Sequence, residues 1–385
     1  MKILIISHSC VEAPISQQIY AEVERQTGWH LTIVTPSYWK DEYRNKCTPQ
    51  RWHEYQGQFV SIPVWNSGSV PLHVYRSVLI GLLQKLQPDF IYVHQEPYAI
   101  ATNQIYLANR LTIKKPIGFF TWQNIFKRYP FPFRQMERWV LQQSSVIFPG
   151  SYSAEEVFRK KGYQGDSVTL ASGVDPNIYF PRSEAEELKN KLRTTQNELL
   201  IGYAGRIVEQ KGLKTLLYGL KQIQDLPWRL IVIGAGSYEA EFDAIAQNLQ
   251  LTHRISRLGY IQNVETPLYL SAFDVLVLPS ETRANWKEQF GRVIIESMAC
   301  DTPVIGSDSG EIPHLLRATG GGLIFQEGQP EALANQLQQL ILNPSLRTQL
   351  AEQGRQSVQQ NYTHTLLAQR FAEAVEKQVN LIAKK

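Results

Sequence analysis

Two successive runs of short apolar segments, each segment followed by a helical stretch, constrain this 385-residue chain more than any other feature. In the first run, segments 2–7, 31–35, 59–64, 89–94, 116–121, 145–149 and 166–170 read as strands. Helices are expected between several of them, at about 16–27, 71–87, 98–110, 134–143 and 153–161. The pattern restarts after Pro181, with strands at 199–204, 229–233, 254–259, 274–279, 302–306 and 322–325. Strand alternating with helix argues for a parallel sheet covered on both faces. Two such runs predict an α/β chain of two doubly wound, Rossmann-like domains, 1–181 and 182–363, with a cleft between them. Residues 183–197 are polar and charged and read as a linker or surface helix at the boundary. A last helix over about 364–385 carries an apolar stripe, Leu367, Phe371, Val375, Val379 and Ile382, so it packs on something.

Composition narrows the class. With 43% hydrophobic and 19% charged residues, the chain reads as soluble and globular. Cys10, Cys47 and Cys300 are odd in number and far apart, which excludes a disulfide framework or a cysteine metal motif. No signal-peptide pattern opens the chain and no apolar stretch is long enough to span a bilayer, so the cytoplasm is the expected compartment. Residues 1–182 hold 19 Lys/Arg against 13 Asp/Glu, and residues 183–385 hold 20 against 22. The basic half therefore suits an anionic partner, either membrane surface or nucleic acid.

The richest stretch is 280–313. A strand, Asp274 to Pro279, leads into a polar loop; Gly291 then opens a helix that Cys300-Asp301 closes, before the strand Thr302 to Gly306. Glu288 stands in the loop and Glu296 inside the helix. Eight helical residues rise about 12 Å, so two such carboxylates cannot share one small atom, but they could hold two ends of an elongated ligand. The helix start between them, with N–H groups at Phe290, Gly291, Arg292 and Val293, is a seat for phosphate. The plain alternative is a loop glutamate and a solvent-facing helical one.

Residues 202–212 read Gly-Tyr-Ala-Gly-Arg-Ile-Val-Glu-Gln-Lys-Gly. Gly205 would let the backbone approach a ligand, and Arg206 and Lys211 place two cations beyond a strand's carboxyl end, where open parallel sheets bind ligands. Such cations suit a diphosphate leaving group. Gly234-Ala235-Gly236 resembles a dinucleotide fingerprint, but Glu239 stands where its third glycine belongs, which disfavours an NAD-dependent oxidoreductase. In the first half, His94 or its neighbour Gln95 ends a strand, and His8 ends another. Residues 119–139 interleave aromatics with Lys127, Arg128, Arg134 and Arg138. That pattern suits anionic lipid headgroups, a core strand followed by an inward-packed loop, or single-stranded nucleic acid.

Glu288 and Glu296, set within Glu-Gln-Phe-Gly and Glu-Ser-Met-Ala-Cys-Asp-Thr-Pro-Val-Ile-Gly, resemble the retaining GT-B glycosyltransferases of family 4 (glycosyl transferases group 1). The resemblance extends to Ser309-Gly310-Glu311-Ile312-Pro313 and Gly321-Gly322-Leu323-Ile324-Phe325, and covers the second half closely. It implies a GT-B fold whose last helix returns to the first domain. It implies transfer of a sugar from a nucleotide diphosphate sugar to a hydroxyl acceptor, a glycan or lipid-linked molecule, with retention and without a metal or other cofactor. Glu288, His94, Arg206 and Lys211 would then be catalytic. Gly205, Arg206, Lys211, Gly234, Gly236, Leu258, Phe290, Gly291, Arg292, Val293 and Glu296 would bind the donor, with Leu258 beside the nucleotide base. The loop Ser9 to Pro14 departs from the family by lacking glycine. An anionic membrane face is the further partner expected through 119–139, and nucleic acid is not expected. The alternatives are a nucleotide-sugar epimerase on the same fold and a binding module that never cleaves its ligand.

Overall fold

The apolar segments of the first half form one parallel sheet. Its strands are β1 (Lys2–Ser7), β2 (His30–Pro36), β3 (Gln58–Ile62), β4 (Phe90–His94), β5 (Ile117–Thr121), β6 (Val146–Pro149) and β7 (Asp166–Ser167). The order across the sheet is β7-β6-β5-β4-β1-β2-β3, with Ile3 opposite Leu31 on one side and Phe90 on the other. Because successive strand residues point to opposite faces, β1 feeds two cores. Ile3 and Ile5 pack with Tyr20, Val23, Phe371 and Val375, whereas Leu4 and Ile6 pack with Leu83, Ile105, Val140 and Phe158. Helices therefore cover both faces.

The second half repeats the design with six parallel strands: β8 (Leu199–Ala204), β9 (Trp228–Ile233), β10 (Ile255–Gly259), β11 (Val275–Leu278), β12 (Val304–Ser307) and β13 (Gly322–Phe325). Their order is β10-β9-β8-β11-β12-β13. The strand order reverses between β8 and β11, the switch point where parallel sheets leave a crevice beyond their carboxyl ends.

The computed structural model describes residues 1–12, 16–40, 45–76 and 79–383. The chain divides into one unit of Met1–Ala171 with His364–Lys385 and another of Ser172–Thr363. Residues 172–181, read from the sequence as part of the first domain, thus lie in the second unit; the Val174 N–H donates to Tyr362 O at 2.8 Å. The boundary stretch 183–197 contains a helix, Ala185–Leu192, tied down where Lys189 and Arg193 meet Asp274 at 2.6 and 3.0 Å.

Other expectations shift. Over 71–87 the helix is only Leu79–Leu86, and residues 77–78 lie outside the described ones. Val74–Tyr75 is instead a short strand paired with Val64–Trp65. The reason is tertiary: the Gln104 amide takes both the N–H and the C=O of Tyr75, at 3.1 and 2.9 Å, which removes them from any helical ladder. The 166–170 strand shrinks to β7. In the Ser9–Pro14 loop, Ser9–Val11 forms a 3₁₀ turn, and Ala13 and Pro14 lie outside the described residues. Residues 119–139 divide: Phe119, Phe120 and Thr121 are buried in β5, whereas Phe126 and Phe131 are exposed.

The final helix, His364–Ala383, packs on the helix Gln18–Thr27. Leu367, Phe371 and Val375 of its stripe are buried, and Val379 is half-buried; the side chain of Ile382 lies outside the described ones. Phe371 sits edge-on to Tyr92 at 5.0 Å between ring centres and 5.5 Å from Phe148. Phe371→Ala should therefore cost about 3–5 kcal/mol of first-unit stability, read as a lowered midpoint in denaturant unfolding. A loss below about 1 kcal/mol would show that this helix end is only loosely held.

Candidate active site

Beyond β8 and β9 the chain makes two loops that touch each other. The Gly205 N–H donates to Ile233 O and the Ile207 N–H to Ala235 O, both at 3.0 Å. A Cβ on Gly234, whose φ is +131°, would overlap Gly205 O, and one on Gly236 would overlap Ile207 O. Gly234 and Gly236, read from the sequence as part of a dinucleotide-like turn, are therefore required by loop-to-loop approach. Gly236 also gives its N–H to Glu239 Oε1 at 2.7 Å, and Glu239 pairs with Arg257 at 2.8 Å. A carboxylate thus occupies the helix start on which a dinucleotide pyrophosphate would rest, a second argument against NAD. Leu258 is half-buried in β10, next to Gly259, whose carbonyl accepts from the Gly234 N–H at 2.7 Å. Arg206 is exposed, and its carbonyl accepts from the Tyr203 hydroxyl at 2.6 Å.

Lys211 and Glu288 meet. The Lys211 Nζ lies 2.6 Å from Glu288 Oε2, which also accepts from Ser280 Oγ at 2.7 Å. Glu288 is only 7% exposed. The ammonium stands 5.4 Å from the centre of the Trp286 ring, within cation–π range. The neighbouring backbone holds the pair: the Glu281 N–H donates to Gln210 O at 2.8 Å, joining the loop after β8 to the loop after β11. A third loop, after β12, arrives through the Glu311 N–H, which donates to Glu288 O at 3.1 Å. Its Gly310 has φ +58°, and any Cβ there would overlap Glu288 O. The glycine of Ser-Gly-Glu-Ile-Pro is needed for this contact.

Gly291, at φ +82°, precedes the helix Arg292–Ala299. Phe290 beside it is buried, its ring 6.3 Å from that of Tyr362. Glu296 sits in the second turn, 8% exposed. Arg292 Nε contacts its Oε1 at 2.7 Å, and the Tyr179 hydroxyl hydrogen-bonds to the same carboxylate. Burial pushes the Glu296 carboxyl above its ordinary range, and Arg292 and Tyr179 oppose that rise. The exposed-surface alternative for the two glutamates is thereby removed. Val293 is half-buried in the first turn of the same helix, where N–H groups lack intrahelical acceptors.

His94 belongs to the first unit. Its Nδ1 lies 2.9 Å from the Tyr20 hydroxyl and its ring 4.3 Å from that of Phe120. Burial lowers its pKa to about 4, so the ring is neutral near pH 7. Gln95 is buried, and its Nε2 donates to the Tyr75 hydroxyl at 2.8 Å. The His8 ring is tilted against those of Trp39 and His73, at 4.8 and 5.6 Å between centres, and burial lowers its pKa to about 3. Sequence reasoning missed Glu96. Its Oε2 accepts from Thr121 Oγ1 at 2.7 Å and its Oε1 from the Trp122 N–H at 2.9 Å, which ties the ends of β4 and β5. The available signal was a carboxylate between a strand end and Pro97. Among the described residues, no cluster of three or more His, Cys, Asp or Glu side chains could hold a metal ion, and no helix is long and apolar enough to cross a membrane.

Residues 184–357 match the family model described as glycosyl transferases group 1. The chain is 26% identical over 227 residues to the N-acetyl-alpha-D-glucosaminyl L-malate synthase of Bacillus anthracis, covering 58% of each chain. It is 27% identical over 207 residues to the capsular polysaccharide biosynthesis glycosyltransferase CapM of Staphylococcus aureus, covering 52% of each. The chain thus spans little more than half the length of these curated relatives. Among solved structures, sucrose-phosphate synthase from Thermosynechococcus elongatus aligns over 100% of both chains with a TM-score of 0.75 at 20% identity. Anabaena HepE in complex with UDP aligns over 98% of this chain and all of its own, with a TM-score of 0.74 at 19% identity. The fold is the two-unit, Rossmann-like GT-B fold that these structures share.

Glu96 should make first-unit stability depend on pH. Burial raises its pKa from 4.5 to about 7. The folded carboxyl holds its proton more tightly than the unfolded one, so its contribution is full below pH 4.5 and is lost as pH rises through about 7. The shift corresponds to about 3 kcal/mol. In chemical unfolding, the advantage of wild type over Glu96→Gln should shrink by roughly that amount between pH 4.5 and 7.5. A difference independent of pH would mean that Glu96 does not titrate in this window.

Proposed function

We propose that this chain, a group 1 glycosyl transferase across residues 184–357, transfers a sugar from a nucleotide diphosphate sugar to a hydroxyl acceptor with retention at the anomeric carbon. The observation that carries this reading is the Lys211–Glu288 pair, its carboxylate buried and its ammonium half-buried, at the carboxyl ends of β8 and β11. As the glycosidic bond breaks, negative charge grows on the leaving diphosphate and positive charge on the sugar. A site that presents an ammonium and a carboxylate side by side can stabilise both. Lys211 has three N–H donors, one directed at Glu288, so it can bridge that carboxylate to a phosphate oxygen.

The remaining roles follow from position. Arg206 adds a second cation toward the diphosphate from the glycine loop, and the N–H groups at Phe290 to Val293 offer a phosphate seat. Cations and helix start together would neutralise the leaving group without a divalent ion. Glu296, fixed by Arg292 and Tyr179, would accept hydrogen bonds from the ribose hydroxyls. Gly205, Gly234, Gly236 and Leu258 would border the nucleoside. Neutral His94 would serve as a hydrogen-bonding group toward the reacting sugar. A nucleoside diphosphate donor is supported by the UDP complex of Anabaena HepE, and a glycan acceptor by the capsular polysaccharide role named for CapM. We propose a lipid-linked or cell-envelope acceptor, handled at an anionic membrane face that the exposed part of residues 119–139, including Phe126 and Phe131, would contact.

The two glutamates should fail differently. Glu288 would face charge that develops only in the transition state, so Glu288→Gln should lower kcat by about 10²–10³. Ribose contacts from Glu296 would be equally strong before and during reaction, so Glu296→Gln should raise KM for the donor by roughly 10–100-fold with kcat kept. Steady-state kinetics in EDTA-containing buffer, with NMR of the first-formed linkage, read all of this in one series. The reverse split, an inverted linkage, or turnover that needs added magnesium would each remove the corresponding part of the mechanism.

A further inference from the structure

The first unit contains a cavity of about 650 Å³ between the helix Phe133–Gln143 and the segment 160–165. Lys127, Arg128, Arg134, Arg138, Lys160 and Lys161 line it, with Glu137 as the one lining carboxylate. Glu137 is already matched: Lys161 Nζ lies 2.6 Å from its Oε1, both side chains are almost fully buried, and the same ammonium donates to Gln123 Oε1 at 2.5 Å. The floor is therefore neutral. The excess charge comes from Arg128, Arg134 and Arg138, none of which pairs with a carboxylate among the described residues. Arg134 and Arg138 are one helical turn apart, an arrangement of like charges that by itself weakens a helix. An anion between them would reverse that effect.

The volume falls in the range of pockets for small ligands. One exposed ring lines it, and a second lies in the chain between the lining residues Arg128 and Arg134. Phe126 lines the cavity and is 45% exposed, and Phe131, held between Pro130 and Pro132, is 79% exposed. The chain segments of this unit carry 22 Lys/Arg against 14 Asp/Glu, which draws the whole unit toward an anionic surface. We propose that this cavity seats the phosphate-bearing headgroup of an anionic phospholipid, with Phe131 entering the bilayer beside it. The proposal rests on the membrane reading of residues 119–139 and adds to it a discrete site. One headgroup-sized cavity next to an exposed ring fits a lipid, whereas a nucleic acid strand calls for cations and stacked rings along successive nucleotides.

The test uses the full chain and sedimentation with phosphatidylcholine vesicles, pure or carrying about one quarter phosphatidylglycerol. Wild type should pellet with the anionic vesicles only. Arg134→Ala/Arg138→Ala should weaken partitioning roughly 30-fold, and Phe131→Ala should weaken it too. Lys85→Ala/Lys114→Ala removes the same charge from exposed positions elsewhere in the unit and should change little. Unchanged thermal midpoints would show that every variant is folded. Equal losses in the two double variants would overturn the cavity while leaving membrane attraction intact. No pelleting of wild type would overturn the membrane reading itself. Tighter binding to a single-stranded oligonucleotide than to anionic vesicles would assign the cavity to nucleic acid. Full competition by dilute glycerol 1-phosphate would make the ligand a soluble phosphate and also overturn the lipid assignment.

Discussion

The ion pair between Lys211 and Glu288 is the contact on which the second unit's strand-end loops converge. Its two members come from loops 77 residues apart in sequence, after β8 and β11, and the loop after β12 closes on the Glu288 backbone. Burying two charges costs several kcal/mol per ion, which the pair offsets only with close geometry and further hydrogen bonds. Here those are a 2.6 Å contact, the Ser280 hydroxyl and the ring of Trp286. The pair is thus a weak source of stability but a strong constraint. Removing either charge strands the other in a desolvated place, at a cost of about 3–5 kcal/mol.

That constraint explains why the loops can be preorganised though they carry little regular structure. Parallel strands end together at one side of the sheet, and the reversal of order between β8 and β11 opens space there. Glycines at 234, 236 and 310 let the backbones meet without side chains between them. The short helix Arg292–Ala299 then begins at the same end and brings Glu296 into the group. Glu296 is held by a different set, Arg292 and Tyr179, so the two carboxylates are positioned independently. Independent support would let one act on the reacting sugar and the other on the far end of a donor, the roles proposed for them.

Much of this was legible in the residues. The strands were, because their apolar runs are bounded by glycine, proline and polar segments. The stretch from Glu288 to Glu296 was legible because its glycine-started helix lies between two strands. What was hidden depends on partners distant in sequence. Gln104 unwinds the start of the expected 71–87 helix from 29 residues away. The pairing of Lys211 with Glu288 and the link from Glu96 to Thr121 leave no local pattern. Gly234 and Gly236 read from the sequence as an incomplete dinucleotide fingerprint, and only the structure shows that the loop after β8 packs against them. The aromatic and basic stretch 119–139 divided because β5 claims its first residues for the core, and no periodicity marks where the surface begins.

The central claim is that the second unit binds a nucleoside diphosphate sugar through Lys211 and its neighbours. Its most direct test is thermal unfolding of the full chain against a panel of uridine, guanosine and adenosine diphosphate sugars, with wild type and Lys211→Ala side by side. A ligand present at about 100 times its Kd adds roughly 2.7 kcal/mol of stability. The account predicts a clear upward shift of the wild-type midpoint with at least one sugar nucleotide, and loss of most of that shift in the variant. No shift with any member of the panel, or an equal shift in both proteins, would contradict it.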